Sequence, residues 1–415
     1  MPDGANVYTE AVVNVNVANI RLEPSIHSPV ITQMERGARL PVTGSSGQWI
    51  RVLLYNSRLG WISRDIVSVV PNARNRPVQE ILVYYTEQEG PELPSSYQSF
   101  VANVAEISDV GLFHFRIDRQ NPTQVAKLYE FDSSYMRRLV EFGHRHNVKM
   151  LPVVSNLLYE RGKQGVNKDV IRGMLSTSDN RSTFIANLLM LIQEYGFDGI
   201  HIDFEDVYFE DRFLLATFYQ ELGDALRKRG YHYVVSTPAR TSDHPTNPFS
   251  ASFDYGLIGS AVNEFVAMLY NEHGWPGSGP GPVVSIGWME KVIRYAMTKM
   301  PAGKITAAVS VFGFDFNLTT GKIQYATYAM AMSLASRYGQ SIIFDQKSQT
   351  PMFRYTDQAG NRHEVWFENA ESIRAKLNLA HRLGIRGLAL WRLGMEDPNL
   401  WNMLKKEFVI KKGEL

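Results

Sequence analysis

The chain has 415 residues, 44% of them hydrophobic, with 43 Lys and Arg against 42 Asp and Glu and no cysteine. That length suits one large barrel plus a small module, and the near-neutral charge argues against an electrostatic grip on nucleic acid or anionic lipid. Disulfides, thiolate metal sites and cysteine nucleophiles are excluded, and no run reaches the roughly 18 apolar residues that a membrane helix needs.

In chain order, residues 11–70 are short apolar-alternating runs broken by turns. Val13, Val15 and Val17 alternate. Ile20 and Leu22, Val30 to Met34, Leu40 to Thr43, Trp49 to Leu54 and Gly60 to Ile62 follow, with Glu23-Pro24-Ser25, Arg36-Gly37, Gly44-Ser45-Ser46-Gly47 and Asn56-Ser57 between them. Strands at this spacing predict a small all-β, SH3-like barrel over residues 8–70. Asn19-Ile20-Arg21-Leu22, Gly47-Gln48-Trp49-Ile50-Arg51-Val52 and Gly60-Trp61-Ile62 resemble a bacterial SH3 (SH3b) domain. The resemblance implies a module that binds cell-wall peptide or glycan. A barrel that only supports its neighbour is the other reading, because a fold does not establish binding. Residues 71–79, with two prolines, two asparagines and two arginines, read as a linker.

From Glu80 onward apolar runs alternate with helical patterns. Eight runs suit buried parallel strands: Ile81–Thr86, Val110–Phe115, Val148–Val154, Gly199–Phe204, Tyr233–Thr237, Phe265–Tyr270, Ile305–Val311 and Gly387–Trp391. Helical patterns such as Thr183–Tyr195 and Arg212–Arg229 lie between them. Eight such units predict an α/β fold, a (β/α)8 TIM barrel over residues 80–412, with an open doubly wound sheet as its rival. The stretch before the last strand is long. Ile342–Phe344, Met352–Thr356 and His363–Phe367, with a turn at Asp357-Gln358-Ala359-Gly360, predict a small α+β insertion of about residues 339–370 between strands 7 and 8.

The fourth strand carries the chemistry: Asp198-Gly199-Ile200-His201-Ile202-Asp203-Phe204-Glu205-Asp206. Side chains alternate along a strand, so His201, Asp203 and Glu205 share one face and Ile200, Ile202 and Phe204 the other. The apolar face should meet the outer helices. The polar face then points into the barrel and rises to its C-terminal mouth, where barrel enzymes place their sites. Asp198 has the parity of the apolar face and reads as structural. Three readings compete for the polar face. Acids at a helix start account for Asp206 but not for Asp203 and His201. A metal site lacks further ligands apart from His114 on the second strand. A glycosidase acid with a carboxylate helper is the third reading and the favoured one.

Asp198-Gly199-Ile200-His201-Ile202-Asp203-Phe204-Glu205 resembles the Asp-Gly-x-Asp-x-Asp-x-Glu signature of family 18 glycoside hydrolases, the chitinase family. Met268-Leu269-Tyr270-Asn271 resembles that family's Met-x-Tyr-Asp, Trp391 stands where the family has a tryptophan under the sugar, and Tyr84-Tyr85 and His114-Phe115 match its first two strands. The resemblance extends to spore cortex-lytic and germination peptidoglycan N-acetylglucosaminidases through Glu264–Val284 and Glu364-Val365-Trp366-Phe367-Glu368. Two residues depart from the family: His201 replaces its middle aspartate, and Asn271 replaces the aspartate after the tyrosine.

The resemblance implies hydrolysis of β-1,4 bonds at N-acetylated amino sugars, with retention and with the substrate's acetamido oxygen as nucleophile. Glu205 is then the acid and base, Asp203 and Tyr270 hold the acetamido group, and Trp391, His201, Tyr84, Asn271 and His114 line the sugar site. It implies no cofactor and no metal, a monomer, peptidoglycan as partner, and no nucleic-acid or membrane partner. The expected location is the cell wall, spore envelope or outside of the cell, although Met1 to Glu10 carries no secretory signal pattern. Chitin hydrolysis and silent glycan binding are the alternatives, and the presence of Glu205 argues against the second.

Overall fold

The structure is a computed structural model that describes residues 8–87, 93–158, 165–244, 248–270 and 272–414. Its larger part is a closed barrel of eight parallel strands: β1 (Val78–Tyr85), β2 (Asp109–Ile117), β3 (Lys149–Ser155), β4 (Gly199–Asp203), β5 (His232–Pro238), β6 (Glu264–Met268), β7 (Ile305–Ser310) and β8 (Gly387–Trp391). Each pairs in parallel with the next, and β8 pairs with β1 to close the ring. The predicted (β/α)8 barrel and its eight strands are therefore present. Two glycines mark how tightly the strands approach. A Cβ on Gly199 would lie 1.8 Å from the His232 carbonyl oxygen, and one on Gly387 would lie 1.8 Å from that of Glu80. No other residue fits at either strand start.

The alternation read from the sequence sorts the strands into two layers. Leu82, Leu151, Val153, Val234, Val266 and Ala389 fill the barrel interior, while Ile200, Ile202, Phe204 and Phe265 face the surrounding helices. The helix before β4, Ser178–Tyr195, begins where the Thr177 side chain accepts the Asn180 N–H and stops at Gly196 in the left-handed region, φ 74°. Its buried Phe184, Leu188 and Ile192 pin it to the barrel and so deliver Phe197, Asp198 and β4 in register.

The N-terminal module is an all-antiparallel seven-stranded sheet of Thr9–Val13, Val17–Arg21, Val30–Glu35, Arg39–Ser46, Trp49–Leu53, Leu59–Ser63 and Val67–Pro71 around its own core of Ala18, Ile20, Leu40, Ile50, Val52 and Ile62. It packs against the N-terminal ends of the barrel strands. Asn147, just before β3, is buried there: its Oδ1 accepts the Tyr55 N–H at 2.7 Å and its Nδ2 donates to the Arg39 carbonyl at 3.0 Å.

The insertion is larger than the sequence reading. It is a five-stranded antiparallel sheet of Phe312–Asn317, Ile323–Thr327, Ile343–Asp345, Thr350–Thr356 and Arg362–Trp366 with the helix Tyr328–Arg337. It begins at Phe312 rather than near residue 339. Only Val311 separates β7 from the first insertion strand, so the apolar run of one merges with the other and hides the boundary. Gly313 permits the close pairing there, since a Cβ would lie 1.9 Å from the Trp366 carbonyl oxygen.

Candidate active site

The polar face of β4 points inward. His201 is wholly buried in the barrel, where its Nε2 lies 2.7 Å from Ser236 Oγ, and Ser236 Oγ lies 3.0 Å from the Tyr84 hydroxyl. Burial pushes the His201 imidazole down to about 4. The ring is therefore neutral near pH 7 and lends Asp203 no positive charge. Asp203 comes one step higher on the same face, opposite Ser155 of β3. Burial, then the negative charge of Glu205, raises its carboxyl well above the ordinary aspartate range. Asp203 Oδ1 is buried without a hydrogen-bond partner among the described residues.

Glu205 stands two residues further on, at the C-terminal mouth and partly exposed. Burial of its carboxyl comes first and the charge of Asp206 second in raising its pKa to about 7. A carboxyl with that pKa is half protonated at neutral pH, the condition for a general acid. Asp206, not Asp203, is the second cause. Asp206 adopts φ 50°, in the left-handed region, and forms a salt bridge to Lys168 at 2.6 Å.

Four aromatic rings meet beside these carboxyls. Trp391, at the end of β8, has its centroid 5.1 Å from Tyr84, 5.0 Å from Phe113 and 6.5 Å from Tyr270. Tyr270 lies two residues past β6, and its hydroxyl is held protonated by burial and by the negative charges of Asp203 and Glu205. Acid, carboxylate, phenols and indole are thus supplied by four strand ends, β1, β4, β6 and β8.

Glu205, Asp203, Tyr270, Tyr84, His201 and Trp391 come together in this way. His114 does not join them. Its ring packs against Tyr85, Tyr129 and Phe131, neither nitrogen has a hydrogen-bond partner among the described residues, and burial pushes its pKa down to about 3. The cause is an irregularity in the pairing of β2 with β3: it puts Phe113 in the interior cluster and Phe115 in the outer one, so simple alternation fails at His114. Asn271 lies outside the described residues. Ser236, which links Tyr84 to His201, was not singled out from the sequence. Its signal was available: it is a polar residue inside an apolar strand, with the inward parity of Val234.

Asp198 is structural: its Oδ2 accepts the Met150 N–H at 2.8 Å and lies 2.9 Å from His144 Nε2. At this opposite end of the barrel, Asp109, His232 and Glu264, the first residues of β2, β5 and β6, bring ligand-type atoms within 4.8 Å of one another. Lys149 at 3.6 Å from Asp109 and Arg386 at 3.8 Å from Glu264 already supply countercharge. The cluster reads as the ionic floor of the barrel, in keeping with a bottom face that serves stability.

The sequence matches the family described as glycosyl hydrolases family 18 over residues 80–396, and the bacterial SH3 domain over residues 16–68. It is 31% identical over 334 residues to a cortical fragment-lytic enzyme of Bacillus subtilis, covering 79% of this chain and 74% of that one. The solved structure of the Bacillus cereus spore cortex-lytic enzyme SleL superposes with a TM-score of 0.73 at 27% identity, over 84% of this chain and 79% of that one. A chitinase from Chromobacterium violaceum ATCC 12472 does so with a TM-score of 0.70 at 28% identity, over 79% of this chain and 98% of that one. The carboxyls at the end of β4, the aromatic rings around them and these matches converge: the chain belongs to glycosyl hydrolases family 18, a glycan-cleaving barrel carrying a bacterial SH3 domain.

Proposed function

We propose that this glycosidase cuts β-1,4 bonds beside N-acetylated amino sugars of peptidoglycan, in spore cortex or cell wall, and that the substrate's own acetamido oxygen is the nucleophile. The observation that carries this reading is the Glu205 carboxyl, raised to about 7 at the mouth, with Asp203 two residues away on the same strand face. Two carboxyls on one strand stand side by side. They are poorly placed to flank a sugar ring from opposite faces, as a two-carboxylate mechanism requires.

In this mechanism Glu205 protonates the leaving glycosidic oxygen while the acetamido oxygen attacks the anomeric carbon. The same carboxylate then takes a proton from the water that opens the cyclised intermediate. Asp203 Oδ1, buried without a partner among the described residues, is suited to accept the acetamido N–H, which steadies the positive charge that develops there. The protonated Tyr270 hydroxyl donates to the acetamido oxygen. Trp391 offers a flat apolar face to the sugar, and Tyr84 and His201, tied through Ser236, support the floor beneath Asp203.

The likeness to cortical fragment-lytic enzymes supports cortex peptidoglycan as substrate, and the bacterial SH3 domain supports attachment to wall material. The likeness to a chitinase supports chitin as a second substrate. Mass spectrometry of fragments released from purified sacculi, cortex and chitin tests the choice. Release of fragments with N-acetylglucosamine at the new reducing end from cortex or sacculi is expected; cleavage of chitin alone would reverse the preference.

A further inference from the structure

β4 pairs with β5 only as far as Ile202 and with β3 only as far as Asp203. Glu205 therefore stands beyond the ladder hydrogen bonds that fix the strand. Its main chain is held instead by one side chain. Asn156, buried and immediately after β3, meets residue 205 twice: Asn156 Oδ1 accepts the Glu205 N–H at 2.9 Å, and Asn156 Nδ2 donates to the Glu205 carbonyl at 2.8 Å. Nδ2 also donates to the Asn167 carbonyl at 3.3 Å, and the Asn167 N–H donates to the Asn156 carbonyl at 2.9 Å. Asn167 caps the helix Lys168–Leu175, whose Lys168 holds Asp206. The exit of β4 is thus tied to the exit of β3 and to the helix that follows it.

We propose that Asn156 is the positioning residue of the Glu205 carboxyl, acting through the Glu205 main chain; this rests on the reading of Glu205 as proton donor. A primary amide suits the task because it offers a donor and an acceptor in one plane. Aspartate lacks the donor and leucine lacks both groups. Both contacts fall on a single residue, so rotation about either backbone torsion of Glu205 breaks one of them. The direction of its Cα–Cβ bond is fixed although the ladder has ended. The next residue, Asp206, sits in the left-handed region, a strained conformation for a non-glycine residue that persists only when neighbours enforce it. The two Asn156 contacts and the Lys168 salt bridge are that enforcement. A displacement of about 1 Å at a reacting group costs up to about 100-fold in rate.

The test compares the full-length wild type with Asn156→Ala and Asn156→Leu, using Glu205→Gln as the inactive reference. Two quantities are read: kcat and KM on soluble N-acetylated glycan oligomers, corrected for the folded fraction from melting curves, and the titration of the Glu205 carboxyl by 13C NMR. The expected result is a kcat lowered about 10- to 100-fold, KM within about threefold, and a displaced Glu205 titration in both variants. A corrected kcat and a Glu205 titration equal to those of wild type in either variant would overturn the positioning role. If wild type cuts no N-acetylated glycan while the titration still moves, the substrate reading falls and the positioning role stands.

Discussion

Tyr55 of the N-terminal module stacks on His144 of the barrel with ring centroids 4.1 Å apart and planes 8° from parallel, and His144 in turn lies 2.9 Å from Asp198. Asp198 sits just before β4, so the module is joined to the strand that carries Glu205, but at the opposite end of it. Arg145–Glu35 at 3.1 Å and buried Lys412, near Glu10 of the module and Glu106 of the barrel, extend the junction. The module is built into the barrel floor. Removing residues 1–70 would strip Asn147 of its partners in the module.

Tyr55→Ala is therefore expected to lower stability by about 2–4 kcal/mol, since a buried aromatic ring and its stacking partner are lost. Catalysis should be spared, because the ring lies at the far end of the barrel. Denaturant unfolding and kcat on soluble oligomers check this. A stability within about 0.5 kcal/mol of wild type, the range of an ordinary surface change, would mean that the stack holds nothing together.

Glu205→Gln is expected to reduce turnover by at least 10²–10⁴-fold, the span of general acid catalysis, while the fold is kept. The same substitution should stabilise the chain in alkaline solution. Glu205 is raised in the folded state, from an ordinary value of 4.5 to about 7, so the folded chain binds its proton more tightly than the unfolded chain does. Stability then falls as pH rises from the unfolded to the folded pKa and stays low above it. The Tm gain from Glu205→Gln should be larger at pH 8 than at pH 4, and an equal gain at both would contradict the raised carboxyl.

The alkaline limb of kcat/KM is expected near pH 7, where Glu205 loses its proton. After burial, Asp206 is the charged group that raises it, Lys168 partly offsets Asp206, and the Tyr84 and Tyr270 hydroxyls stay neutral. Asp206→Asn removes one negative charge at a left-handed position that asparagine accepts, so the limb should move to lower pH. Lys168→Met leaves Asp206 uncompensated and should move it to higher pH. Because Asp203 and Glu205 titrate together, the limb reports the pair. Shifts in the reverse directions would remove Asp206 from the electrostatics of the acid.

Much of this was legible in the residues. Period-two alternation in Gly199–Phe204 put His201 and Asp203 inside the barrel, and the eight apolar runs fell on the eight strands. The misses have separate causes, the first being that alternation holds only while the ladder is regular. At His114 the irregularity between β2 and β3 turned the ring into an aromatic layer. At Phe312 two strands separated by one residue read as the end of one. Asn156 and Ser236 act through residues distant in sequence, Glu205 and His201, which only the closed barrel brings near. The neutral state of His201 follows from burial depth, a property of the whole interior.

The proposed substrate-assisted step makes the sharpest prediction. Asp203 Oδ1 and the Tyr270 hydroxyl converge beside Glu205, one suited to accept from an amide N–H and the other to donate to an amide oxygen. Binding an acetamido group there turns binding energy into alignment of its oxygen with the anomeric carbon. Three results are expected together. The first product should keep the anomeric configuration of the bond that was cut. A glycan with free 2-amino groups should resist cleavage, by about 10²-fold or more, because it brings no internal nucleophile. A thiazoline mimic of the cyclised sugar should compete with substrate, and should bind Asp203→Ala less well than wild type. An NMR time course showing the inverted anomer first, or efficient cutting of the deacetylated glycan, would defeat the mechanism even with Glu205 essential. Tyr270→Phe gives an independent reading of the same geometry. Loss of a group that aligns the attacking oxygen costs up to about 10²-fold in kcat when the geometry slips by about 1 Å, so a KM effect with kcat unchanged would place Tyr270 in ground-state binding alone.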